Sequence, residues 1–182
     1  MRPAALLLVL ACTPIGAQNT ASRAGIAAAP IAAAHIPQVM LANLEKNFDS
    51  RLVALDPLDP IDMLGGTRAL CLEGYGTVFT TELSLIVTPG LFPIPTSRYT
   101  PEFRATVRAR KLAHLPKLEE LMKEMVVVTA KTLTTMPDDQ KIVMAVRLRY
   151  LPEEDSTGLP AQIKMSADKK AALMGDIKTE IE

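Results

Sequence analysis

From Ile36 to Leu55 the apolar residues Val39, Met40, Leu44, Phe48, Leu52 and Leu55 recur at intervals of one, three and four, the spacing of an amphipathic helix. Asp56-Pro57 ends it, because the proline ring disfavours helical conformation in the residue before it, and Pro60 and Gly65-Gly66 extend the break into a loop. Two β-rich runs, Thr67 to Glu73 and Thr77 to Thr88, flank Gly74-Tyr75-Gly76 and predict a hairpin. In the second run Phe79, Leu83, Leu85 and Val87 alternate with Thr80, Glu82 and Ser84, so one face is apolar and the other mostly polar.

Pro89-Gly90 stops that strand, and Leu91 to Ser97 forms an irregular connector. Thr100-Pro101 then supplies a capping hydroxyl and a proline at the first helical position, where its missing N–H costs nothing. The stripe of Phe103, Val107, Leu112, Leu115, Leu118, Met122, Met125 and Leu133 carries a helix to about Met136, with Pro116 expected to kink or split it. After the Asp138-Asp139 turn, Ile142, Met144, Val146, Leu148 and Tyr150 alternate with Val143, Ala145, Arg147 and Arg149 as a strand. Pro152 to Pro160 is a polar loop, and Ile163 and Met165 mark a short final strand.

The order is helix, strand, strand, helix, strand, strand, helix. Short strand-to-strand connections favour hairpins, so the expectation is an α+β, two-layer sandwich: a four-stranded, mainly antiparallel sheet of two hairpins with amphipathic helices on one face. Residues 36–167 form this single domain, and residues 168–182 a charged C-terminal tail read as a frayed helix.

Ahead of the domain, Arg2 and the apolar run Ala4 to Ala11 resemble an export signal, residues 1–17, with Ala17 at the cut; residues 18–35 are an Ala-rich, low-complexity linker. The expected location is extracytoplasmic, periplasmic or secreted. Val9-Leu10-Ala11-Cys12 resembles a bacterial lipoprotein box, and lipidation of Cys12 would instead anchor the chain to the envelope. Neither the leader nor any later uncharged segment approaches the ~18 apolar residues of a transmembrane helix. Cys71 is then the sole thiol of the domain, which excludes an internal disulfide, and in Ala69-Leu70-Cys71-Leu72 it reads as a small buried hydrophobe.

Lys plus Arg total 20 against 20 for Asp plus Glu, so no global field draws the chain to nucleic acid or an anionic surface. Aromatics are 4% with no Trp, so few stacking faces are on offer and nucleobase binding is not suggested. Charge therefore matters only locally. The polar sheet face would present Glu82 and Ser84 beside Arg147, Arg149 and Lys164, and guanidinium groups at alternate strand positions offer convergent donors to a carboxylate, phosphate or sulfate. Arg147, Arg149, Lys164 and Glu82 are the candidate ligand-binding residues.

Other patterns carry less. Arg104, Arg108 and Lys111 share a helical face, near Arg110 and Lys117, and read as a solvated basic stripe or a contact for an anionic lipid headgroup or an acidic partner. Asp56, Asp59 and Asp62 recur every third residue, but their spacing is not that of a Ca²⁺ loop. His35 and His114 fall in no zinc spacing, and no cofactor or metal is implied. Cys71 with His114 is the one thiol–imidazole combination in the domain.

The leading expectation is thus an exported, non-enzymatic binding or interaction module of the bacterial cell envelope. Its partner would be an envelope protein or a small anionic ligand. The alternative is an extracytoplasmic hydrolase or thiol enzyme using Cys71, and a third reading has an exposed edge strand pairing two copies.

Overall fold

A computed structural model describes residues 36–87 and 100–182. The leader, Cys12, the Ala-rich linker, His35 and the Pro-rich connector lie outside the described residues. The elements are α1 (Gln38–Val53), β1 (Asp62–Met63), β2 (Arg68–Leu72), β3 (Gly76–Ser84), α2 (Pro101–Thr132), β4 (Lys141–Leu148), β5 (Gln162–Asp168), α3 (Lys169–Leu173) and β6 (Lys178–Ile181). The class is α+β.

The hairpins β2–β3 and β4–β5 are both antiparallel, as their short turns dictate. They join differently from expectation. β3 runs parallel to β4, with Gly76 beside Lys141, Thr80 beside Ala145 and Glu82 beside Arg147. The helical crossover through α2 returns the chain to the starting end of β3, and a strand begun there can only run alongside it. The sheet is therefore mixed, with the order β1-β3-β4-β5-β6 and β2 also on β3, in place of four antiparallel strands.

Two strands escaped the hydrophobic pattern. β1 pairs Asp62 with Ser84 and Met63 with Leu83, while β2 pairs Arg68 with Thr80; Leu64 to Thr67 bulge out between them along the same edge of β3. At the far edge, the charged tail supplies the short α3 and then β6, which pairs antiparallel with β5 from Ser166–Lys178 to Ile163–Ile181. β6 alternates charged and uncharged residues too briefly to register as a strand without its partner.

One buried cluster joins the helices to alternate residues of the sheet. Leu41, Leu44, Phe48 and Leu52 of α1 and Leu118, Met122 and Met125 of α2 meet Phe79 and Leu83 of β3, Met144 and Val146 of β4, and Ile163 and Met165 of β5. α2 starts where Thr100 Oγ1 accepts the Phe103 N–H at 3.2 Å. It continues unbroken through Pro116, which sits on its exposed side while Leu118, Leu121 and Met122 hold the next turn on the core. Packing outweighs the lost helical hydrogen bond.

α1 also covers the β1–β2 edge. Glu45 Oε1 accepts the Ala69 N–H at 2.7 Å, and Asp49 Oδ1 accepts the Thr67 N–H at 2.9 Å and its hydroxyl at 2.6 Å. These carboxylates occupy amides that would otherwise be open to strand pairing.

Gly76 closes the hairpin where β3 meets β4. Its φ is +134°, and a Cβ there would stand 1.9 Å from the Lys141 carbonyl oxygen. A backbone oxygen cannot yield as a side chain can. Gly76→Ala should therefore cost about 2–4 kcal/mol through strain and local opening of the β3–β4 ladder. Urea denaturation checks this, and a midpoint equal to that of the parent protein would contradict so close an approach.

Candidate ligand-binding site

Directly across the strands, the residues facing away from the helices form rows. Glu82, Arg147 and Gln162 make one row, and Arg68, Thr80, Ala145, Lys164 and Glu180 the next. Thr80 and Ala145 are small, so the middle of this surface sinks between longer side chains. The result is a depression of about 390 Å³, lined by Thr80 and Ala145, by Arg68, Glu82, Arg147 and Gln162, and by the Leu64-Gly65-Gly66 bulge. Its volume lies within the range of small-ligand sites, though it is open and shallow in form.

Of the expected site residues, Glu82 and Arg147 are brought together across β3 and β4 and line the depression. Arg149 follows β4, and its Nε pairs with Glu82 Oε1 at 2.5 Å. Lys164 lies on the same face but outside the lining, ion-paired with Glu180 of β6, which Lys178 also holds at 2.7 Å. Hydrogen bonds from Lys164 and Lys178 lower the Glu180 pKa to about 2, and Glu180 in turn raises that of Lys164. A carboxyl depressed in this way stabilises the fold above its unfolded pKa, near 4.5, and loses that contribution as pH falls toward 2.

The face is thus less uniformly basic than the strands alone suggest, since two of its three expected cations are already paired. Ser84 is buried beside β1, at the end of β3, and does not line the depression. Arg68, Thr80, Ala145, Gln162 and the Gly65-Gly66 bulge were not anticipated. The Arg68 and Arg147 side chains are both exposed, and beyond the backbone pairing of their strands neither guanidinium has a hydrogen-bond or ion-pair partner among the described residues.

The basic segment of α2 turns inward onto two loops. Lys111, whose side chain is 1% exposed, pairs with Glu154, whose side chain is 2% exposed, and lies 4.9 Å over the Tyr150 ring. Tyr150 donates to the Pro160 carbonyl at 2.6 Å; burial, with the Glu154 charge adding to it, raises its pKa to about 12. Arg108 Nε donates to the Thr157 carbonyl at 2.6 Å and approaches Asp155 at 3.8 Å. Far from being a solvated stripe, these cations clamp the loop between β4 and β5. A second depression, of about 450 Å³, lies between Arg104 and the Glu154-Asp155 carboxylates, where the charges offset one another.

The aspartate triplet is likewise taken up by cations. Lys117 reaches Asp56 at 2.7 Å and lowers its pKa to about 2, while Arg110 pairs with Asp59. Asp62 instead enters β1. His114, 2% exposed, places Nε2 at 3.3 Å from Asp56 and 3.9 Å from Asp59. Its carboxylate neighbours belong to the turn after α1, so the imidazole serves that loop in place of a thiol.

Cys71 corrects another expectation. It is exposed on β2 rather than buried, because the helices cover that strand only as far as Ala69. Exposure makes it chemically accessible, yet the imidazole that would activate it is buried against Asp56 and Asp59. Among the described residues, no group of His, Cys, Asp and Glu is arranged to hold a metal, and no helix is long and apolar enough to cross a membrane.

The Lys111–Glu154 pair is the most buried ionic contact of the clamp, and the two charges depend on each other. Lys111→Met alone strands the Glu154 carboxylate and should destabilise the fold by about 3–5 kcal/mol, whereas adding Glu154→Gln should recover most of that loss. Chemical denaturation of the two variants checks this; equal stability for both would show that the charge pairing does not hold the loop.

Searched against protein-family models, curated proteins and solved structures, the chain matches none.

Proposed function

We propose that the chain is an exported, non-enzymatic binding module that takes a small anionic ligand on the uncovered face of its sheet. The observation that supports this reading is the pair Arg68 and Arg147, two exposed guanidinium groups without partners among the described residues, beside a floor of Thr80 and Ala145. Guanidinium groups hold their charge at every physiological pH and present forked donors that match a carboxylate or phosphate. Small floor residues leave room for such a group to approach, and the Gln162 amide adds a neutral donor from β5.

In this proposal Glu82 sets the limit on the site. Arg149 pairs with it, so that its charge repels a small anion less than a free carboxylate would. Arg149 is then a positioning residue, and the contact surface shifts from Arg147, Arg149 and Lys164 to Arg68 and Arg147. Export by residues 1–17, with the periplasm or the exterior as destination, belongs to the same proposal and rests on the resemblance of those residues to a signal peptide.

Isothermal titration with succinate and with inorganic phosphate tests the site and distinguishes the two anion classes. One of them should bind, and Arg68→Ala or Arg147→Ala should each weaken it about ten- to a hundredfold, the loss expected for a charge-assisted hydrogen bond worth roughly 1.5–3 kcal/mol. Binding unchanged in both variants would dismiss this surface.

A further inference from the structure

The two edges of the sheet are unequal. On the β1–β2 side, Glu45 and Asp49 of α1 accept the amides of Ala69 and Thr67, so α1 blocks the start of β2 and only its short end around Cys71 stays open. No such cover reaches β6 among the described residues; it is the last strand of the sheet order. Glu182 and Gln162 exchange both backbone hydrogen bonds, at 3.0 Å each. In an antiparallel pair such exchanges fall at every second residue, so Glu180 and Lys178 also bond inward to β5. The N–H and C=O groups of Thr179 and Ile181 then point outward, away from the sheet.

We propose that β6 is a dimerisation edge on which a second copy of this chain adds its own β6 antiparallel, about a two-fold axis through Thr179. That register sets Thr179 opposite its own counterpart as a doubly hydrogen-bonded pair. It sets each Lys178 opposite the other copy's Glu180, and each Ile177 opposite the other copy's Ile181. Opposite charges meet on one face and apolar residues on the other. Ile181 is 51% exposed in the single chain, and Ile163, its partner on β5, belongs to the core, so the apolar contact extends the buried face of the sheet. Neighbouring registers are poorer: an axis through Glu180 opposes two carboxylates, and one through Ile181 sets Glu180 against Glu182.

Residues opposite one another in an antiparallel pair share a face. The helices of both copies therefore lie on the same side, and the two open faces join into one surface. The proposal is independent of the ligand reading, since none of Ile177 to Ile181 lines the depression.

Sedimentation velocity of the full chain carrying Cys12→Ser and Cys71→Ser tests this, with no native thiol left to cross-link. The mass should rise from monomer to dimer with concentration. Thr179→Pro removes the central outward N–H without touching a bond to β5, so it should raise the dissociation constant about tenfold or more. In the same background Thr179→Cys should oxidise readily to a disulfide-linked dimer, because paired strand positions lie within disulfide reach, whereas Lys178→Cys should not. A mass that stays monomeric across the concentration series overturns the proposal, as does cross-linking through position 178 in preference to 179. Should Thr179→Pro lose its native circular dichroism, the cysteine pair decides alone.

Discussion

The parallel ladder between β3 and β4 is the contact on which the remainder of the structure depends. Gly76 permits it, since any side chain at that position would collide with the Lys141 backbone. Once β4 starts beside the start of β3, the chain must travel back along the sheet, and α2 provides the 32-residue return. α2 buries its stripe of Leu and Met side chains on the same side as α1, and among the described residues no helix covers the opposite side of the sheet. The open face is thus a consequence of the crossover.

Apolar burial and charge pairing divide the work along α2. Leu118, Met122 and Met125 face the sheet and are fully buried, and this non-directional term dominates the stability of the layer. The cations Arg108, Lys111, Arg110 and Lys117 contribute position: each meets a carboxylate in the turn after α1 or in the loop after β4. Exposed pairs of this kind add little energy individually, but the buried Lys111–Glu154 contact ties its loop to one place. Holding that loop steadies Arg149, which follows β4 directly and neutralises Glu82 at the border of the depression.

The helices, both hairpins and the polar face of the sheet were legible in the sequence because each is written within a short window. The β2–β3 turn announces itself with Gly74-Tyr75-Gly76, and the β4 alternation from Ile142 to Leu148 identifies which residues face the core. How the hairpins join was not legible, since no local spacing records whether Thr80 lies beside Ala145. For the same reason Arg68 went unnoticed as lining the same depression as Arg147: it is separated from it by more of the chain than any periodicity spans. Lys164 and Arg149 look like free cations in their own strands, and only the tertiary partners Glu180 and Glu82 reveal that they are paired. Cys71 misleads in the opposite direction, because an apolar neighbourhood in sequence became the uncovered end of an edge strand.

The depression, the rows of charge beside it and the uncovered face all require that β3 and β4 run parallel in the stated register. In a background of Cys12→Ser and Cys71→Ser, disulfide formation between introduced cysteines measures that register directly. Parallel pairing places Val78 beside Val143, so Val78→Cys with Val143→Cys should oxidise to an internal disulfide, while Val78→Cys with Arg147→Cys should remain reduced. The reverse result, with position 78 linking to 147 and not to 143, would mean that the strands run antiparallel and would contradict the fold and the site together.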